Sequence, residues 1–319
     1  MIERIGIDEW QAFDRAHPAP TFFARPPWAL ALAQAYPHME AAPLRIRTPQ
    51  GTLLMPAMRM GGGPLHWKEY CAFPLGGYTC FLREDGSTAD AAQCEAAVAR
   101  LARFCDVARI VPWPLGPAPA ADGPEHETGV VDLSAGIDAA LAGVEGIFRR
   151  MAGQAERRGV QCAPAYGAEA IDTYYELLEA SARRWGLERP SISKELIAAL
   201  AQHGGADVEI WFARAEGRAI AGGIVFYGSR EFFFWSAAML AEYGRLRPSN
   251  ALNFALMRAA AQRGMSWYNL GSSEGLPGVA RFKKEMGARH HGYREVRLRG
   301  TRFKVYTHLR RALRLPASA

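Results

Sequence analysis

Stretches in which apolar side chains recur every three or four residues alternate along the chain with short apolar runs, and Gly, Pro, Asp and Ser mark the joins. Ile7 to Arg15 and Pro27 to Ala35 carry helical spacing, the second opening on a proline where a missing N–H does no harm. Leu44 to Arg47 and Leu53 to Arg59 read as strands around the turn Pro49-Gln50-Gly51, and Gly61-Gly62-Gly63-Pro64 and Gly76-Gly77 punctuate the chain beyond them. After Asp85-Gly86-Ser87 a long helix is expected to about Cys105, with Cys94, Val98, Leu101 and Cys105 at helical intervals, and then a strand from Ala108 to Val111. Pro112, Pro114, Pro117, Pro119 and Pro124 make the next segment irregular. A strand from Gly129 to Leu133 leads through Ser134 into a helix from about Ile137 to Arg158, ended by Gly159.

In the second half, helices are expected at Ala168 to Trp185 and Ser193 to Gln202, then strands at Val208 to Ala213, Ala219 to Tyr227 and Glu231 to Ala237. The links Glu216-Gly217 and Gly228-Ser229 are too short for a parallel crossover, so these strands form an antiparallel meander. A helix from Ser249 to Arg263 and a strand from Ser266 to Leu270 come next. The glycine-bearing loop Gly271 to Gly278 then enters a short helix holding Phe282 and Lys283, and Tyr293 to Leu298 makes the last strand.

With 319 residues, 49% of them hydrophobic and 22% charged, the chain is long enough for two domains and too apolar for general disorder. No run reaches the roughly 20 apolar residues of a spanning helix. Glu3, Arg4, Asp8 and Glu9 stand where a secretory leader needs an apolar core, so the expectation is a cytoplasmic protein. The five cysteines are widely spaced with no C-x-x-C pair, and Cys94 and Cys105 read as buried core thiols. His290-His291 lie on a strand and point to opposite faces, so no metal site is expected.

Net charge is +6, and its distribution changes the picture more than its size. Arg294, Arg297, Arg299, Arg302, Lys304, Arg310, Arg311 and Arg314 are opposed within their own segment only by Glu295, while the rest of the chain is about neutral. Such a segment suits phosphates of RNA, of a nucleotide-linked substrate or of an anionic membrane surface, or else a solvated helix face. Phe303, Val305, Tyr306, Leu309 and Leu313 interleave with it, which adds peripheral contact with an anionic inner membrane surface to the candidate roles.

Three runs carry a resemblance by their order and spacing: Ala241-Glu242-Tyr243-Gly244-Arg245-Leu246-Arg247-Pro248-Ser249-Asn250-Ala251-Leu252, Tyr268-Asn269-Leu270-Gly271, and Arg281-Phe282-Lys283-Lys284-Glu285-Met286-Gly287. Val131-Asp132-Leu133-Ser134, Phe148-Arg149-Arg150 with Arg157-Arg158-Gly159, and Arg184-Trp185-Gly186-Leu187 add to them. Over roughly residues 130 to 298 the chain resembles the FemAB-related GNAT acyltransferases, with the element order helix, helix, antiparallel strands, helix, strand, helix, strand. The resemblance implies a mixed α/β (α+β) fold of two tandem GNAT-like domains with largely antiparallel sheets flanked by helices. It places the N-terminal domain at 1–145, completed by 297–319, and the C-terminal domain with the donor site at 146–296. Two departures are visible: no charged heptad segment builds a long helical arm, and Gln154 stands where the pattern tends to put a lysine in the basic helix, leaving Arg150, Arg157 and Arg158.

Acyl transfer to an amine needs a neutral nucleophile, a positioned carbonyl, stabilisation of the developing oxyanion and an exit for the amine proton. By resemblance Lys283 is assigned electrostatic stabilisation and Phe282 positioning, against the plainer readings of a surface lysine and a core phenylalanine. Arg247, Ser249, Asn250 and Arg150 are assigned to the donor, the first three because a turn before an apolar helix can present N–H groups to an anion. Trp185, Tyr268, Ser272 and Ser273 are assigned to the substrate, with Glu274 beside them, and no general base is named. The turn lacks the glycine pattern of a pyrophosphate loop, so the donor stays open among aminoacyl-tRNA, acyl-CoA and acyl carrier protein, bound as a co-substrate with no resident cofactor. The expected activity is N-acyl or aminoacyl transfer to an amine-bearing small molecule, peptide or cell-envelope precursor. The alternative is a non-catalytic GNAT-like module that holds RNA or another phosphorylated partner through the basic C-terminal segment. Oligomeric state is not legible in the sequence.

Overall fold

The computed structural model describes residues 1–61, 67–273 and 275–312; Gly62-Gly63-Pro64, Glu274, Leu313 and Arg314 lie outside them. Two compact units result, one of residues 1–19, 23–126 and 292 onward, the other of residues 20–22 and 127–291. The division falls at 126/127 and 291/292, not near 145 and 297, because the strand after the proline-rich segment pairs into the second unit and takes residues 127–145 with it.

The first unit runs β1 (Ile2–Arg4), α1 (Ile7–Ala16), α2 (Pro26–Ala35), β2 (Met39–Ala41), β3 (Leu44–Thr48), β4 (Gly51–Met55), β5 (Met58–Met60), β6 (Glu69–Ala72), β7 (Leu82–Arg83), α3 (Ala91–Phe104) and β8 (Val107–Ile110). The strand expected over 53–59 is split at Pro56, which has no N–H to give to a ladder. The long helix starts later than expected, at Ala91, because Asp90 and Gln93 cap each other's backbone N–H groups there. Leu44, Ile46, Leu53, Ala97, Leu101 and Ile110 pack into this unit's core, which also holds Cys94 and Cys105. Burial pushes those two thiols up, to about 12 and about 11.

The second unit runs β9 (Glu125–Asp132), α4 (Ile137–Gly143), α5 (Gly146–Arg157), β10 (Gln161–Ala165), α6 (Gly167–Arg184), α7 (Lys194–Gly204), β11 (Val208–Ala215), β12 (Arg218–Tyr227), β13 (Glu231–Met239), α8 (Pro248–Gln262), β14 (Trp267–Asn269), α9 (Pro277–Glu285) and β15 (Arg289–Arg294). The single helix expected from 137 to 158 breaks after Gly143. Val144 turns into the core there, and the Glu145 N–H donates to the Glu285 carbonyl at 2.8 Å. Then β16 (Val296–Arg299) and α10 (Thr301–Ala312) rejoin the first unit, β16 antiparallel to β8. The expected last strand is therefore two strands, parted at Glu295, whose fully buried carboxylate accepts from Arg297 Nε at 2.6 Å and forms an ion pair with Arg109 Nε at 2.9 Å.

Among the described residues the sheets are ordered β1-β3-β4-β7 and β16-β8-β6-β5-β2 in the first unit, and β10-β11-β12-β13-β14-β9-β15 in the second. The meander β11 to β13 is antiparallel, as its two short turns require. One parallel pair among these strands stands in each unit, β6 with β8 and β13 with β14, each bridged by a helix.

Candidate functional site

The parallel pairing of β13 and β14 is short: Glu231, Phe232 and Phe233 face Trp267, Tyr268 and Asn269. Beyond Phe233 the strand β13 stays with β12, while β14 ends and the chain turns away at Gly271, whose φ of 71° suits a residue without Cβ. The two strands therefore part at their C-terminal ends. A register shift opposite Ile224 and Val225 leaves Trp235 as the extra residue of β13, a bulge that bends the strand further from its neighbour.

A cavity of about 460 Å³ fills the opening. Phe234, Trp235 and Met239 wall it from β13, Ser249, Leu252 and Asn253 from α8, and Phe282 and Lys283 from α9. Arg184, at the end of α6, also lines it and donates to the Met239 carbonyl at 3.1 Å. The lining is mostly apolar with a few polar groups, and its volume falls within the about 300–1,000 Å³ usual for ligand pockets. Room for the Phe234 ring comes from Gly223, where a Cβ would stand 2.1 Å from Phe234 Cε2.

Lys283 is 5% exposed, and its ammonium donates to the carbonyls of Gly271 and Ser272, each at 2.7 Å. Its stem passes Gly129 so closely that a Cβ there would lie 3.2 Å from Lys283 Cδ. The loop it grips is pinned from beneath: fully buried Asn269 accepts from Thr128 Oγ1 at 2.5 Å and from the Gly271 N–H at 2.9 Å, and donates to Glu231 Oε1 at 2.7 Å. A cation is thus fixed at the edge of an apolar cavity, where its field is screened less than in water. It is a buried clamp facing the cavity and no surface lysine, which the sequence alone left open.

Helix α8 begins at the same opening. Arg247, in the left-handed region at φ 57°, is its N-cap and makes no side-chain cap, and the first turn carries no acidic residue. The N–H groups of Asn250 and Ala251 donate to the Arg247 carbonyl at 3.1 and 3.2 Å, and no side chain of the first turn offsets the positive end of this 15-residue helix. Ser249 donates from its hydroxyl to Met239 Sδ at 3.4 Å. Tyr268, fully buried, donates to Asn253 Oδ1 at 2.8 Å, and Asn253 donates to the Ser249 carbonyl at 2.9 Å, tying β14 to the first turn of α8. Burial pushes the Tyr268 phenol well above its ordinary value and holds it neutral.

Of the residues assigned from sequence, Lys283, Phe282, Ser249 and Ser272 meet at the cavity. Tyr268 does not line it and is hydrogen-bonded to Asn253, which does. Asn250 and Ser273 are buried outside the lining. Arg247 is exposed at the helix start, and Arg150 is exposed on α5 away from the lining residues. Trp185 is 62% exposed and stacks under Arg184, 5.6 Å from guanidinium carbon to ring centre, so the neighbour Arg184 reaches the cavity in its place. Phe282 also packs edge-on to Phe148, with ring centres 5.3 Å apart. Asn253 and Trp235 were not singled out from sequence: an asparagine inside a helix and a tryptophan in an aromatic run carry no signal until the strands part.

The basic C-terminal segment is more neutralised than its sequence suggests. Arg294, Arg297 and Arg302 pair with Glu125, Glu295 and Asp106. Phe303 and Tyr306 pack on Trp67 with ring centres 5.5 and 5.3 Å away, leaving Val305 and Leu309 exposed. Among the described residues no helix is long and apolar enough to cross a membrane.

The opening thus lies at the carboxyl ends of a parallel pair, beside the start of α8. Residues 146–284 match the family described as acetyltransferase (GNAT) domain. In overall fold the chain is similar to FemX, with 13% identity and a TM-score of 0.69 over 97% of this chain and 99% of that one. It is similar to L-PGS from Bacillus licheniformis (12% identity, TM-score 0.53, 97% and 96% covered). A tandem GNAT protein from the clavulanic acid biosynthesis pathway is a further likeness (12%, 0.51, 92% and 98%). No curated protein matches the sequence. The chain is a mixed α/β protein of tandem GNAT architecture, and the resemblance to the FemAB-related GNAT acyltransferases holds for the fold and for the domain at 146–284.

Proposed function

We propose that the chain transfers an acyl or aminoacyl group to the amine of a small molecule, peptide or cell-envelope precursor, with the cavity between β13 and β14 as the acyl site. The observation that carries this is the fixed Lys283 ammonium beside an apolar opening that also receives the bare N-terminus of α8. The donor is acyl-CoA, acyl carrier protein or aminoacyl-tRNA, and its phosphates meet the start of α8 and the exposed Arg247. The donor carbonyl lies toward Lys283, whose charge stabilises the oxyanion formed when the amine nitrogen attacks. The C–N bond forms, the C–S or C–O bond to the donor breaks, and the amine proton leaves with the departing sulfur or oxygen. Arg184 and Lys283 act on the acceptor too, because two nearby positive charges disfavour an ammonium and keep the attacking amine neutral.

The test is turnover and binding with acetyl-CoA, longer acyl-CoA, and charged and uncharged tRNA. Saturable binding of one donor class, with amine-dependent release of its carrier, is the expected result. Failure of every donor to bind or turn over would remove the reading.

A further inference from the structure

The cavity differs from a general acyl pocket in its charges. Its polar lining is Arg184, Ser249, Asn253, Ser272 and Lys283, and among the described residues that line it none is acidic. Both charged groups are cations, and Lys283 is buried. The apolar remainder is large: Leu252, Leu270, Phe234, Phe282 and Met239 surround the space, and Ala221, Ala237 and Ala238 leave it wide. An acyl group carrying an ammonium would enter this space against two like charges and would give up its water among mostly apolar walls. An uncharged hydrocarbon group meets neither penalty and gains from each methylene buried.

We infer that the cavity selects an uncharged, apolar acyl group of medium length and rejects acyl groups that bear an ammonium, with Arg184 as a specificity-determining residue. The inference rests on the reading of this cavity as the acyl site and narrows it toward N-acyl transfer and away from aminoacyl transfer. Arg184 suits the role because it lines the cavity from the exposed end of α6, where its guanidinium donates to the Met239 carbonyl and rests on Trp185. It reaches the lining from α6 and Lys283 reaches it from α9, so an entering group meets cations carried by two separate elements.

Trp235 in the lining supplies the readout. The probe is the 8-bromooctanoyl thioester of N-acetylcysteamine, whose bromine quenches a nearby indole, added to the full chain. Saturable quenching that disappears in Trp235→Phe places the acyl group in the cavity. Octanoyl thioester should displace the probe at least about tenfold better than lysyl or alanyl thioester, and Arg184→Glu should shrink that ratio several-fold. Leu252→Trp, which fills the space, should weaken the probe with Arg184 intact. A lysyl thioester competing within about twofold of octanoyl, or an unchanged ratio in Arg184→Glu, would overturn the inference. Turnover with aminoacyl-tRNA but no thioester binding would overturn it while leaving the acyltransferase reading standing. Neither binding nor turnover with any donor would remove both.

Discussion

A parallel strand pair bridged by a helix stands in each unit, and the two pairs end in opposite ways. In the first unit β6 and β8 are followed by segments that go on pairing: the Val111 N–H donates to Ala72, Thr79 to Val111 and Trp113 to Thr79, at 2.7–2.8 Å. Phe73, Tyr78 and Trp113 are buried around this continuation, and Tyr78 meets Phe23 edge-on with ring centres 5.5 Å apart. In the second unit the described residues after Phe233 and Asn269 make no comparable continuation. The chain turns off at Gly271, α8 and α9 bring their side chains to the gap, and the space stays open. The same strand arrangement is thus a sealed core in one unit and a cavity in the other. What decides is whether the chain after the strands offers large apolar side chains and backbone donors to the gap, or a glycine turn held back by a buried lysine.

The comparison can be broken from either side. The largest expected effect is on the sealed junction: Trp113→Ala should lower stability by about 3–5 kcal/mol in denaturant unfolding while donor binding by the folded protein is unchanged. A loss below about 1 kcal/mol would mean that this side chain does not fill the junction. At the open junction, Lys283→Met should reduce turnover about 100-fold, with a smaller loss of stability from the Gly271 and Ser272 carbonyls left unbonded. Full turnover at saturating donor would refute the stabilising role. Gly223→Ala should push the Phe234 ring into the cavity, costing about 1–3 kcal/mol and weakening the bromooctanoyl probe relative to wild type. Unchanged probe binding would show that the ring relaxes elsewhere.

The smallest effect is a pH dependence in the first unit. Burial pushes the Glu295 carboxyl up, but the hydrogen bond from Arg297 and the Arg109 guanidinium paired with it outweigh that and hold the group below its ordinary value of 4.5. A carboxylate held low in the folded state adds stability at pH above that ordinary value, and loses it as pH falls through the folded value. Glu295→Gln should therefore flatten the acid limb of the unfolding midpoint between about pH 5 and 3. An acid limb as steep as that of wild type would assign it to other carboxylates.

Local chemistry read from the sequence located most elements of the second unit. The turns at Glu216-Gly217 and Gly228-Ser229 fixed the meander, because two-residue links restrict backbone geometry wherever they occur. Lys283, Phe282 and Ser249 stand in the runs that carry the resemblance and Ser272 in the polar loop after the strand, and the fold brings these four to one cavity. Beyond local rules, sequence could not tell that the helix at 137–158 breaks at Val144 or that the last strand parts at Glu295. Each break is set by a partner distant along the chain, Glu285 for the first and Arg109 for the second.

The sequence by itself determined the periodicities, the turns, the excess of positive charge and the set of candidate side chains, since these come from residue type and spacing. Only the tertiary structure decided that Lys283 is a buried clamp, that Tyr268 is bonded to Asn253 behind the cavity wall, that Arg184 and not Trp185 reaches the cavity, and that three C-terminal arginines are paired. The physical reason is the same in each case: burial and pairing depend on which distant segments share a few ångströms of space, and no local pattern encodes that.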